Sequence, residues 1–146
     1  MTTEKKNMLE TEPFLIEVTP RYAETDQMGY VHHAVYPIWF ELARTEMIKE
    51  IGISYGELEK KGNFIPVLSL SVRYKSAAYF DEALNIRTVL KVIDPIKMEF
   101  EYKVSDKEGK LIAEGSTGHV FLNADKKPIR IPKDFLTRLE PTKKKI

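Results

Sequence analysis

Apolar residues at every second position mark five stretches of this chain as half-buried strands, and one long stretch carries the spacing of a helix. Residues 14–19 place Phe14, Ile16 and Val18 on one side, and Pro20 ends the run. In residues 67–75, Leu68, Leu70, Val72 and Tyr74 face one side while Ser69, Ser71, Arg73 and Lys75 face the other. Residues 84–93, 96–104 and 111–122 complete the set. Asp94-Pro95 and residues 106–109, Asp-Lys-Glu-Gly, are turn formers, so the strands they join run antiparallel.

Between residues 34 and 51 the apolar set is Ala34, Val35, Ile38, Trp39, Leu42, Ala43, Met47, Ile48 and Ile51, with charged residues filling much of the remainder. Pro37 falls in the first turn, where a missing N–H costs nothing, and Gly52 follows as a C-terminal stop. The helix is about 27 Å long at about 1.5 Å per residue. Its first half is apolar nearly all round, which predicts burial on more than one side. Ser54 caps a second, short helix through Lys61 by its spacing to Glu57, and Gly62-Asn63 breaks it. The end, PTKKKI, reads as a frayed, solvated tail. Five strands with one principal helix predict a single α+β domain over residues 1–146, its core spanning about residues 14–136. That helix covers one face of the sheet, and an uncovered face or edge invites a second subunit.

The composition, 42% hydrophobic and 31% charged over 146 residues, is that of a single soluble domain. A net charge of +1 supplies no broad field for nucleic acid or an anionic membrane. The chain contains no cysteine, which excludes disulfides, thiolate metal sites and a thiol nucleophile. The start lacks the apolar segment of a signal peptide and no run reaches membrane-spanning length, so the expectation is a cytoplasmic protein. No Gly-rich phosphate loop and no Gly-x-Ser-x-Gly elbow is present, which removes nucleotide hydrolysis and the α/β-hydrolase route.

The unusual residues gather in residues 21–45, where Asp26 sits in a polar turn just ahead of the long helix. A carboxylate there lies beside exposed helix N–H groups, which favour negative charge and can hold a second electron-rich atom. Most turn aspartates are caps or turn formers, and position alone would leave Asp26 among them. Gly29 suits a turn conformation or a close approach that other residues resist. Glu24, Asp26, His32 and His33 are the residue types of a metal site, but adjacent histidines do not converge on one ion and no repeated ligand spacing exists; no metal is expected.

The order strand, Asp-containing turn, long apolar helix and four strands resembles the hotdog-fold acyl-CoA thioesterases of the 4-hydroxybenzoyl-CoA thioesterase-like group. The letters that carry the resemblance are Tyr22, Thr25-Asp26, Gly29, Val31, His33-Ala34, Tyr36, Phe40-Glu41 and Ala43-Arg44-Thr45, then Pro66-Val67, Tyr74 and His119-Val120-Phe121. Hotdog hydratases have Asn two residues and His five residues after their Asp; Met28 and Val31 stand there instead. A related branch places its acid inside the helix, so Glu41 and Glu46 compete with Asp26 for the role.

The resemblance implies an antiparallel five-stranded sheet wrapped around one central helix, and assembly as a homodimer or homotetramer. It implies hydrolysis of an acyl-CoA to a carboxylic acid and coenzyme A, with no cofactor besides the substrate's own coenzyme A. Asp26 would attack the thioester carbonyl or take a proton from the attacking water, and both routes stay open. The backbone N–H of His33 is the candidate donor to the oxygen on which charge builds. Tyr22 and Tyr36, with Trp39, are candidates for lining the acyl or aryl pocket, and Gly29 for shaping the turn. Arg73, Lys75 and Ser76 are candidates for contacting coenzyme A. An acyl carrier protein as the thioester carrier, and a non-catalytic module that binds acyl-CoA, are the alternatives.

Overall fold

The computed structural model describes residues 7–145. Strands β1 (Leu9–Glu10) and β2 (Phe14–Val18) lead through a single 3₁₀ turn, Tyr22–Glu24, to helix α1 (Val35–Glu50) and the short helix α2 (Tyr55–Lys60). Strands β3 (Val67–Tyr74), β4 (Leu84–Val92), β5 (Lys97–Asp106) and β6 (Leu111–Leu122) follow, then β7 (Pro128–Ile129) and helix α3 (Lys133–Leu139). The long strands form an antiparallel sheet in which β4, β5, β6 and β3 are successive neighbours. β1 and β2 pair with successive stretches of the outer side of β4, and β7 pairs with β6. β3 is therefore an edge strand.

The alternating pattern works as expected. Leu84, Ile86, Leu90, Phe100, Tyr102 and Val104 point to one face and are buried against α1, which turns Val35, Tyr36, Trp39, Phe40, Ala43, Met47 and Ile48 toward them. Phe40 lies flat on Tyr102, with ring centroids 4.2 Å apart and 3° between planes. Gly115 makes that contact possible, because a Cβ on it would stand 2.6 Å from Phe40 Cε2. The opposite face of the sheet is polar and carries Arg87, Lys103, Glu101 and Glu114.

A polar seam crosses this core. Arg44, 8% exposed, reaches from α1 to the Tyr102 hydroxyl at 3.5 Å; Tyr102 and Thr117 hydroxyls lie 2.6 Å apart. Thr117 Oγ1 is 2.7 Å from His119 Nε2, and His119 Nδ1 is 3.0 Å from the Pro66 carbonyl. Burial, with the nearby Arg44 charge, pushes the His119 imidazole down to about 4, so it is neutral at pH 7.

Three expectations change. The sheet has seven strands rather than five, since β1 and β7 extend it by two residues each. The tail is tied down rather than frayed: Thr11 bridges Lys143, and Lys144 N–H donates to the Glu10 carbonyl at 2.8 Å. Ile146 lies outside the described residues. Leu68 is not in simple alternation, because the β3–β6 register slips between Val67 and Ser69 and leaves Leu68 as the extra residue of a bulge. Among the described residues no helix is long and apolar enough to cross a membrane.

Candidate active site

A small hairpin-like arm holds Asp26 just ahead of α1. His32 N–H donates to the Glu24 carbonyl at 2.8 Å, Thr25 bridges Val31, and Asp26 N–H donates to the Tyr30 carbonyl at 2.8 Å. Gly29 closes the tip, its N–H on the Asp26 carbonyl at 3.0 Å and its φ at +82°. Nothing lies within 4 Å of where its Cβ would be, so the turn conformation, not a close approach, calls for glycine.

The two oxygens of Asp26 have different tasks. Oδ1 accepts the backbone N–H groups of Met28 (2.9 Å) and Tyr30 (3.2 Å), which fix the carboxylate in the turn. Oδ2 accepts no hydrogen bond among the described residues. Asp26 and His33 both line a cleft of about 350 Å³ together with Tyr30, Tyr36, Tyr74, Lys75 and Ser76. That volume lies at the lower end of the range for small-molecule sites, about 300–1,000 Å³.

The start of α1 leaves backbone donors open. Val35 N–H donates to the His32 carbonyl at 2.9 Å and Ala34 N–H to His32 Nδ1 at 3.1 Å. His32 thus braces the turn just ahead of the helix. The His33 N–H donates to no group among the described residues, while the His33 carbonyl accepts the Tyr74 hydroxyl at 2.9 Å. Asp26, with one carboxylate oxygen unpaired, and His33, with its N–H unpaired, thus line one cleft. This pair suits a carbonyl whose carbon is attacked while its oxygen gains charge.

Not every expected residue arrives here. Tyr36, Lys75 and Ser76 do; burial, reinforced by the neighbouring Tyr74 and Glu82, pushes the Tyr36 phenol up to about 12, so it stays neutral. Arg73 does not: it lies on the outer face of the sheet, lining a separate depression with Glu99, Glu101, Lys103 and Glu114. Tyr22 is also outside, 79% exposed and packed edge-on against Phe80 at 5.5 Å. Trp39 is core, not lining. Glu41 is exposed on α1 and Glu46 pairs with Lys49 at 3.4 Å; neither lines the cleft. No group of three His, Cys, Asp or Glu side chains among the described residues converges as a metal site. Tyr30 also lines the cleft without any mark in the sequence, and Tyr74, a letter of the resemblance with no role attached to it, lines it too.

The arm, the helix start and the sheet define a class. Residues 20–139 match the thioesterase-like superfamily, and the chain belongs to it; the protein is a thioester hydrolase with the hotdog fold. Among its relatives, YneP of Bacillus subtilis (strain 168), a candidate acyl-CoA thioesterase, is 35% identical over 132 residues, covering 88% of this chain and 96% of YneP. The acyl-CoA thioester hydrolase YbgC of Escherichia coli O157:H7 is 28% identical over 120 residues, 82% of this chain and 90% of YbgC. The DHNA-CoA thioesterase structure from Staphylococcus aureus superposes with a TM-score of 0.81 at 32% identity, covering 88% of this chain and 89% of that one.

Proposed function

We propose that this protein hydrolyses an acyl-CoA to a carboxylic acid and free coenzyme A, with Asp26 as the acting carboxylate and the His33 N–H as the donor to the carbonyl oxygen. The observation that carries the reading is that Asp26 and His33, each with a polar group that has no partner among the described residues, line one cleft. Similarity to an acyl-CoA thioester hydrolase and a DHNA-CoA thioesterase supports the same substrate class. The thioester oxygen sits at the His33 N–H. Asp26 Oδ2 either bonds to the carbonyl carbon, expelling the coenzyme A thiolate and leaving an anhydride for water to open, or takes a proton from a water that attacks the carbon. In both routes one water is consumed, the C–S bond breaks, and the thiolate ends protonated. Lys75, at the cleft rim, suits the phosphates of coenzyme A. These steps use carboxylate and N–H groups alone, so EDTA is expected to leave the rate unchanged.

A homodimer completes this reading. The free edge of β3 exposes Leu68 (63%) and Leu70, and Ile38 (62%) and Leu42 are exposed on α1. An apolar, unpaired edge of eight residues is a template for a second strand. A second copy pairing along β3 covers it. Sedimentation is expected to give a dimer that Leu70→Lys dissociates; a wild-type monomer at working concentration refutes this.

The decisive assay is thiol release from short, long and aromatic acyl-CoAs by wild type and Asp26→Asn. The variant is expected to lose about 10²-fold or more in kcat while remaining folded. An unchanged rate removes Asp26 from the chemistry. Saturable binding without turnover points to the non-catalytic module, and turnover confined to acyl carrier protein esters points to that carrier.

A further inference from the structure

Backbone bonds close the arm that carries Asp26, tie its second strand to the 78–79 segment (Val31 N–H on the Ala78 carbonyl, 2.8 Å) and meet the helix start at His32, whose carbonyl accepts the Val35 N–H. Glu24 ties the first strand to the body of the helix. One oxygen, Oε1, accepts from Arg21 N–H at 2.8 Å and Arg21 Nε at 3.1 Å; the other, Oε2, accepts from the indole Nε1–H of Trp39 at 3.2 Å. Trp39 lies on the second turn of α1 and is buried, so its indole N–H would lose its partner without Glu24. The Glu24 side chain is itself only 11% exposed. Its own backbone carbonyl meanwhile accepts the N–H of His32, the residue before the proposed donor. One residue therefore touches both strands of the arm and the body of the helix.

The Arg21 contacts span three residues, close the 3₁₀ turn on itself and bind the arm only to itself. The Trp39 contact spans fifteen residues and joins two elements. We propose that Glu24 is a positioning residue for thioester hydrolysis: through the Trp39 indole it sets where the Asp26 carboxylate stands relative to the His33 N–H. The proposal rests on the roles given above to Asp26 and His33. Loss of the clamp frees the first strand of the arm, which carries Asp26, to shift while its second strand stays bonded to Ala78 and Tyr79 and the cleft walls stay in place. Such a shift weakens the transition state more than substrate binding, because binding draws on the whole cleft and attack needs one alignment.

The test compares Glu24→Ala, Glu24→Gln, Trp39→Phe and Arg21→Ala with wild type, by kcat and KM well below each variant's Tm. Misplacement of an acting group by about 1 Å costs up to about 10²-fold, so Glu24→Ala and Trp39→Phe are each expected to lower kcat at least about tenfold with KM nearly constant. Their double variant is expected to be no slower than the slower single one, since both remove one contact. Glu24→Gln retains an acceptor for the indole and is expected to restore most of kcat, and Arg21→Ala to stay within about twofold of wild type. Wild-type kcat in Glu24→Ala and Trp39→Phe, or losses that multiply in the double variant, overturn the proposal. If wild type cleaves no thioester, the functional reading fails, and amide exchange still decides on the clamp. Faster exchange of the His32 and Tyr30 N–H groups in Glu24→Ala than in Arg21→Ala upholds it; equal exchange overturns it.

Discussion

Tyr74→Phe isolates the support of the proposed oxyanion donor, because it removes one oxygen and leaves the ring. The hydroxyl donates to the His33 carbonyl at 2.9 Å, and the ring packs edge-on against Tyr36 with centroids 5.4 Å apart. A neutral hydrogen bond contributes about 0.5–1.5 kcal/mol, and the lower part of that range applies here, because Tyr74 is 52% exposed and water can take over the freed carbonyl. If the loss falls on alignment of the His33 peptide, about 0.5–1 kcal/mol of transition-state stabilisation converts to roughly a two- to fivefold fall in kcat. The contact to the carbonyl oxygen is strongest when that oxygen is negative, so KM should change little. Thiol-release kinetics at several substrate concentrations reads both constants. An unchanged kcat, or an effect confined to KM, refutes the assignment of Tyr74 as a brace for the donor. A fall beyond about a hundredfold refutes it differently, by placing the hydroxyl on the reacting atoms.

Gly115→Ala is expected to destabilise the fold, because the new Cβ would meet both Phe40 and the Ser71 carbonyl within contact distance. Overpacking of this kind costs about 1–3 kcal/mol, or a Tm roughly 3–10 °C lower by calorimetry; an unchanged Tm refutes the packing described. His119 gives a pH dependence. Its folded value of about 4 lies below the ordinary 6.5, so between those two pH values the unfolded chain binds a proton that the folded chain refuses. Stability attributable to this group is therefore complete above about pH 6.5 and falls by roughly 3 kcal/mol as pH drops toward 4. Urea unfolding at pH 7 and pH 5 should show a smaller difference in His119→Gln than in wild type, and equal differences refute the assignment.

The long strands and α1 were legible because alternation and helical spacing repeat over eight or more residues, and the turns at 94–95 and 106–109 carry their own chemistry. β1 and β7 were not, since two residues hold no period, and α3 buries only Phe135 and Leu139. The placement of Asp26 beside a helix start was legible from the order of the residues. The sides of β3 were only half legible. Alternation put Arg73 and Lys75 on one face, but Lys75 and Ser76 both direct their N–H groups to the Ile112 carbonyl, so the strand ends in a kink that turns them into the cleft and leaves Arg73 outside. Tyr22 is rolled outward by the 3₁₀ turn that begins with it. Glu24 and Tyr74 work through partners 15 and 41 residues away, and nothing periodic marks a single polar residue with a distant partner.

The polar seam through the core has a direction. The Pro66 carbonyl can only accept, so His119 must carry its proton on Nδ1 and present Nε2 as an acceptor. Thr117 then donates to His119, Tyr102 to Thr117, and Arg44 to Tyr102, and every proton along the chain has one assigned place. Oily contacts alone are a poor guide for a helix that is apolar around most of its girth, since such a cylinder can roll or slide and still find grease. Rolling α1 by one residue would carry Arg44 away from Tyr102 and strand a charged group in the interior. The seam thus acts as a key cut for one orientation of the helix, and that orientation delivers its first turn to Asp26.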